Sequence, residues 1–146
     1  MKKRKLAIVS GGFDPIHIGH LEFFEKAKSI ADDLFVITND DEYIKRKKGK
    51  FFMPFRERIL IVQALKPVTL TIRSIDTDDT VCKSLKFVHN MYKNKYDEMF
   101  FCNGGDRTYR GNTPEHDACV ELGIEPVYGL GDKIQSSSWL LNGTKQ

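Results

Sequence analysis

Two histidines, His17 and His20, stand three positions apart with Gly19 between them, at the end of the stretch Ser10-Gly11-Gly12-Phe13-Asp14-Pro15-Ile16. Imidazole donates hydrogen bonds at neutral pH. Two rings that reach one anion can therefore steady the negative charge that builds on a phosphorus atom under attack. Gly11 and Gly12 let the backbone pass close to a bulky anion, and Gly19 leaves room for a nucleotide between the rings. A helix opening near Ile18 would turn its free N–H groups, and the positive end of its dipole, towards a phosphate. The bland alternative is a turn with two solvated histidines, but two His with a Gly between them are hard to explain by packing. The densest positive run is Lys45-Arg46-Lys47-Lys48-Gly49-Lys50. Most such runs are solvated faces. No aromatic residue interleaves this one as a stacking platform for nucleic acid, although Phe51, Phe52 and Phe55 follow it.

The segment from Gly12 to His20 resembles the signature of the cytidylyltransferase-like nucleotidyltransferases. Its core, His17-Ile18-Gly19-His20, is also spelled like a motif of the class I aminoacyl-tRNA synthetases. Those enzymes need a Lys-Met-Ser-Lys-Ser loop and a tRNA-binding domain, and the 146 residues here hold neither. Later segments extend the resemblance. Lys133-Ile134-Gln135-Ser136-Ser137-Ser138 is similar to the family's second signature, a hydroxyl run opening a late helix. Gln135, Ser136, Ser137 and Ser138 would then cradle the outer phosphates, or the serines would simply cap a helix. The glycerol-phosphate cytidylyltransferases carry an Arg upstream of this run, and here Lys133 is the only nearby cation. The stretch from Phe101 to Arg107 resembles the Gly-Gly-Asp loop of the heptose-phosphate adenylyltransferases. There Gly104 and Gly105 would admit base or ribose, Asp106 would accept a hydrogen bond, and Arg107 and Arg110 would neutralise phosphate. The alternative is a glycine-rich turn with exposed charges. The resemblance also implies that lysines of the basic run, Lys45 and Lys48 first, touch the triphosphate. Arg58 matches an Arg at a family helix start, where it would meet phosphate or acceptor, or else form a surface ion pair with Glu57 or a neighbouring acid.

The activity so implied is in-line displacement. A phosphate oxygen of the acceptor attacks the α-phosphorus of ATP or CTP, and pyrophosphate leaves; positioning and charge neutralisation carry such chemistry. Mg²⁺ would lie across the phosphates, with Asp14 orienting a histidine or holding the metal through water. The acceptor implied is a phosphorylated sugar or polyol. The Gly-Gly-Asp loop and the missing Arg lean towards adenylyl transfer to a sugar 1-phosphate, and cytidylyl transfer to glycerol 3-phosphate is the second reading. A non-catalytic nucleotide sensor and a nucleic-acid-binding module are rivals from other classes. Family habit implies a homodimer.

Chemistry of this kind needs elements to hold the loops, and the hydropathy pattern supplies them. Strand-like apolar runs fall at 6–10, 34–38, 68–75, 99–102 and 124–128. Helical patterns fall at 21–31, 54–66, 79–92 and 113–122. Strands alternating with helices predict an α/β fold, a Rossmann-like doubly wound parallel sheet in a single domain over 1–146. Ligands of such sheets gather beyond the carboxyl ends of the strands, at the expected loops 10–20, 38–53, 103–112 and 129–138. An apolar fraction of 40% and a charged fraction of 29% fit a globular protein. No stretch is long enough to span a membrane. Cys82, Cys102 and Cys119 form no Cys-x-x-Cys pair, so a reducing, cytoplasmic setting with spectator thiols is expected. His89 and His116 are expected to be structural or exposed.

Overall fold

The computed structural model describes residues 4–104 and 113–130. The elements run β1 (Lys5–Gly11), α1 (Ile18–Ser29), β2 (Asp33–Thr38), α2 (Asp41–Lys48), α3 (Phe55–Ala64), β3 (Leu70–Arg73), α4 (Cys82–Tyr92), β4 (Glu98–Gly104), α5 (Pro114–Leu122) and β5 (Glu125–Leu130). All strand pairs are parallel, in the order β3-β2-β1-β4-β5.

The unbroken apolar runs of β1 and β2 follow from burial on both faces. Side chains alternate across a strand. Leu6, Ile8, Phe35 and Ile37 therefore pack with Leu85 and Val88 of α4 and Cys119 of α5. Ala7, Val9, Leu34 and Val36 pack with Phe24 and Ala27 of α1 and Val62 of α3. The covering helices thus change sides between β1 and β4, and the crevice of the sheet opens at that change.

Two elements depart from the sequence reading. Residues 38–53, expected as a loop, contain α2. Asp40 accepts the Tyr43 N–H at 2.9 Å as its N-cap, acids occupy the first turn, bases the last, and Gly49 closes it with φ 86°. Helix α4 begins at Cys82 rather than near residue 79, because the Asp76 carboxylate takes the N–H groups of Lys83 (2.8 Å) and Ser84 (2.9 Å). That satisfies first-turn donors from outside the helix. The three thiols are free, and Cys102 and Cys119 are buried while Cys82 is half-buried. Burial pushes the Cys102 and Cys119 thiols up to about 12, which fits inert spectators. No helix among the described residues is long and apolar enough to cross a membrane.

Candidate active site at the carboxyl ends of β1 and β2

Helix α1 starts one residue after His17, as the motif's spacing implies, and the histidines themselves make the start. His17 is the N-cap: its Nδ1 accepts the Gly19 N–H at 3.1 Å, while His20 Nδ1 accepts the His17 N–H at 3.1 Å. This reciprocal bonding satisfies two of the orphan donors at the helix start. It also fixes a tautomer. A neutral ring whose Nδ1 accepts must carry its proton on Nε2, so both rings present an Nε2–H donor. The rings stack at 3.8 Å with planes 25° apart. Burial, His17 and Lys48 together push His20 down to about 3, and burial also lowers His17. Both rings are therefore neutral donors at pH 7 rather than imidazolium ions.

Phe13 braces this pair. Its buried ring meets His20 edge-on at 5.0 Å and Phe24 at 5.2 Å, and its backbone takes φ 55°. For a residue with a Cβ, that left-handed conformation is held only by surrounding packing. Gly11 is what admits the ring, since a Cβ there would fall 2.9 Å from Phe13.

His20 lines a cavity of ≈ 310 Å³ together with Gly12, Asp14, Tyr43, Lys47 and Lys48. The structure thus brings Lys48, but not Lys45, to the histidines. Lys45 instead lies 3.7 Å from Glu42 and over the Phe51 ring at 5.4 Å. Lys47, on the next position of the last turn, joins in its place. A second cavity of ≈ 160 Å³ opens at the change of helix sides, reaching Gly11 of β1 and Gly104 of β4. Tyr43 lines both cavities, so they adjoin.

Two expected roles change. Arg58 has its guanidinium spent inside the protein rather than left for phosphate, and the ion pair expected with an acid forms, but with Asp41 and buried on the arginine side rather than at the surface with Glu57. It is fully buried, donating to Met53 O (2.8 Å), Gly12 O (2.7 Å), Asn39 O (2.6 Å) and the Asp41 carboxylate (2.7 Å). The guanidinium fork serves as a strut tying the first loop to the segments before and after α2. Asp14 does not orient a histidine. It is 2% exposed, and its carboxylate oxygens accept the backbone N–H groups of Phe52 and Met53. A carboxylate engaged in this way is a poor fit for a metal ligand. Among the described residues, no group of three or more His, Cys, Asp or Glu side chains could hold an ion. Gly105, Asp106, Arg107, Arg110, Lys133, Gln135, Ser136, Ser137 and Ser138 lie outside the described residues. Of the remaining histidines, His89 is half-buried on α4, and His116 sits 3.1 Å from the Tyr128 hydroxyl.

Helix α2, and with it Tyr43 and Asn39, went unread in the sequence because the charge of residues 45–50 dominated the segment. The signal was present: Asn-Asp before the first turn, acids early, bases late and a glycine at the end.

Residues 8–116 match the family model described as cytidylyltransferase-like. The chain is 39% identical over 69 residues to an FAD synthase of Thermococcus sibiricus, which is 46% of this chain and 47% of that protein. It is 48% identical over 50 residues to the bifunctional protein HldE of Helicobacter hepaticus, 34% of this chain and 10% of that one. The chain therefore spans less than half the length of either relative. Among solved structures, a lipopolysaccharide core biosynthesis protein from Thermoplasma volcanium superposes with a TM-score of 0.62 at 21% identity, over 86% of this chain and 95% of that one. At that identity the likeness shows the fold alone.

Proposed function

The chain belongs to the cytidylyltransferase-like family, and on that premise we propose that it is a nucleotidyltransferase that moves a nucleoside monophosphate from a triphosphate to a phosphorylated sugar or polyol and releases pyrophosphate. The observation that carries this reading is the stacked pair of neutral rings, each with Nδ1 locked and Nε2–H left to donate, beside a cavity with Lys47 and Lys48. Such a pair is preorganised. No proton must be moved and no ring turned before charge builds on the α-phosphoryl oxygens. His17 and His20 hold the transferring group, and the lysines of α2 neutralise the phosphates. A Mg²⁺ ion enters as part of the triphosphate substrate. Ser136, Ser137, Ser138 and Gln135 are proposed to hold the departing pyrophosphate.

In its finer form the reaction is adenylyl transfer to a sugar 1-phosphate, and likeness to both FAD synthase and HldE supports adenylyl transfer in general. Pyrophosphate release, measured with each of the four triphosphates against sugar and polyol phosphates, tests the reading. Release with ATP and a sugar 1-phosphate is expected. His17→Ala and His20→Ala should each lower kcat by about 10²–10³-fold, the effect of losing one donor to a developing oxyanion. Tight nucleotide binding without release for any pair would point to a sensor instead.

A further inference from the structure

Helix α2 brings Lys47 and Lys48 to the cavity beside His20, yet apolar packing does little to hold it there. Ile44 is its one buried residue. Eight residues make too short a helix to persist alone in water, so its place depends on what fastens it. The fastenings are charged. At its start, Asp40 lies 3.6 Å from Arg73 of β3, and Asp41 takes the buried Arg58 guanidinium at 2.7 Å. Near its end, Arg46 reaches the segment between β3 and α4. There its Nη2 donates to Asp78 O at 3.0 Å, and its Nε lies 3.5 Å from the Asp79 carboxylate.

That segment is itself tied down. The Asp78 carboxylate accepts the Thr80 N–H at 2.9 Å and the Thr80 hydroxyl at 2.8 Å, and Asp76 holds the first turn of α4. One cation of the basic run is therefore engaged by an acid of another element, while its chain neighbour Lys47 lines the cavity. Two roles for Asp79 would act with opposite signs. As a bare negative charge beside a phosphate-binding surface it repels a triphosphate, and its removal tightens binding. As the holder of Arg46 it keeps the last turn of α2 in place, and its removal loosens binding.

We propose that Arg46 and Asp79 are a positioning pair for the triphosphate, their contact setting the last turn of α2, and so Lys47 and Lys48, against the His20 side of the site. The inference rests on the transferase reading for its ligand, a nucleoside triphosphate, but it is tested by binding as well as by turnover. Calorimetry with the full chain and the magnesium complexes of ATP and CTP compares the wild type with three variants. Arg46→Gln and Asp79→Asn should each weaken binding by about 2–5-fold, the scale of an exposed ion pair. The exchange of Arg46→Asp with Asp79→Arg keeps the total charge and should restore binding to within about twofold of wild type. In pyrophosphate release, the single variants should raise the KM for triphosphate by more than they lower kcat, whereas loss of folded protein lowers kcat alone. Tighter or unchanged binding in Asp79→Asn, an exchange as weak as the single variants, or a fall in kcat at constant KM would overturn the pair and leave the transferase reading standing. The expected binding pattern with no release for any acceptor would uphold the pair and overturn the transferase reading. Failure of the wild type to bind either triphosphate would overturn both.

Discussion

At the scale of single residues, the two histidines do two jobs with one set of atoms. Their Nδ1 atoms build the start of α1, and that same bonding sends the proton to Nε2. The low pKa of His20 has a thermodynamic consequence. Its folded value of about 3 lies below the unfolded value near 6.5, so between those limits the unfolded chain binds more protons. Stability contributed by this group is present above pH 6.5 and is lost as the pH falls towards 3. Between pH 7 and pH 5 the loss is about 2 kcal/mol, which His20→Asn should remove from the pH dependence of urea unfolding. In the free protein, the His20 ring resonances should stay those of a neutral ring at pH 5; a midpoint near 6.5 would refute the buried, Nδ1-accepting state. The His-x-Gly-His spacing made the pair visible as chemistry, but its protonation state was out of reach, because that depends on burial and on Lys48 from another helix.

Among the elements, the end of β1 shows how a strand, a ring and a helix constrain each other. Gly11 and Gly12 read alike in the chain as openings for an anion, yet they differ in the fold. A Cβ on Gly11 would strike the Phe13 ring at 2.9 Å, whereas one on Gly12 would meet Ile44 Cδ1 at 3.4 Å. Gly11→Ala should therefore destabilise by about 1–3 kcal/mol and lower kcat by displacing His20 through Phe13. Gly12→Ala should affect stability less, and thermal melts of the two variants compare them directly. Arg58 works at the same scale. Removing its side chain takes the donors from three backbone carbonyls, that of Asn39 buried and those of Gly12 and Met53 half-buried, and from the Asp41 carboxylate. It also leaves a void where a fully buried side chain stood, so Arg58→Ala should cost about 3–5 kcal/mol of unfolding free energy. A loss below about 1 kcal/mol would show that the strut is dispensable. Its burial was invisible in sequence, because an arginine on a helix usually reaches solvent.

On the level of the whole molecule, two adjoining cavities form at the carboxyl ends of the strands, and the one lined by His20, Lys47 and Lys48 is cationic. Nucleotide binding only to the folded chain must raise its melting temperature, by about 2.7 kcal/mol of stability at a hundred times Kd. The substrate triphosphate should give this shift and the others less. Lys47→Ala and Lys48→Ala should reduce both the shift and its sensitivity to salt. An unchanged shift in both variants would move the triphosphate away from α2.

Hydropathy alternation and the loop motif were enough, without coordinates, to reveal parallel strands, covering helices, a family and a crevice, since each depends on local spacing that a sequence carries directly. Only the tertiary structure decided which polar groups are spent inside the protein and which remain for a ligand. Arg58 and Asp14, expected at phosphate and metal, hold loops together. Asn39, a residue with no motif to mark it, is buried beside them, its carbonyl accepting from Arg58. That division depends on which segments meet across the fold, and contacts between residues far apart in the chain leave no periodic trace in it.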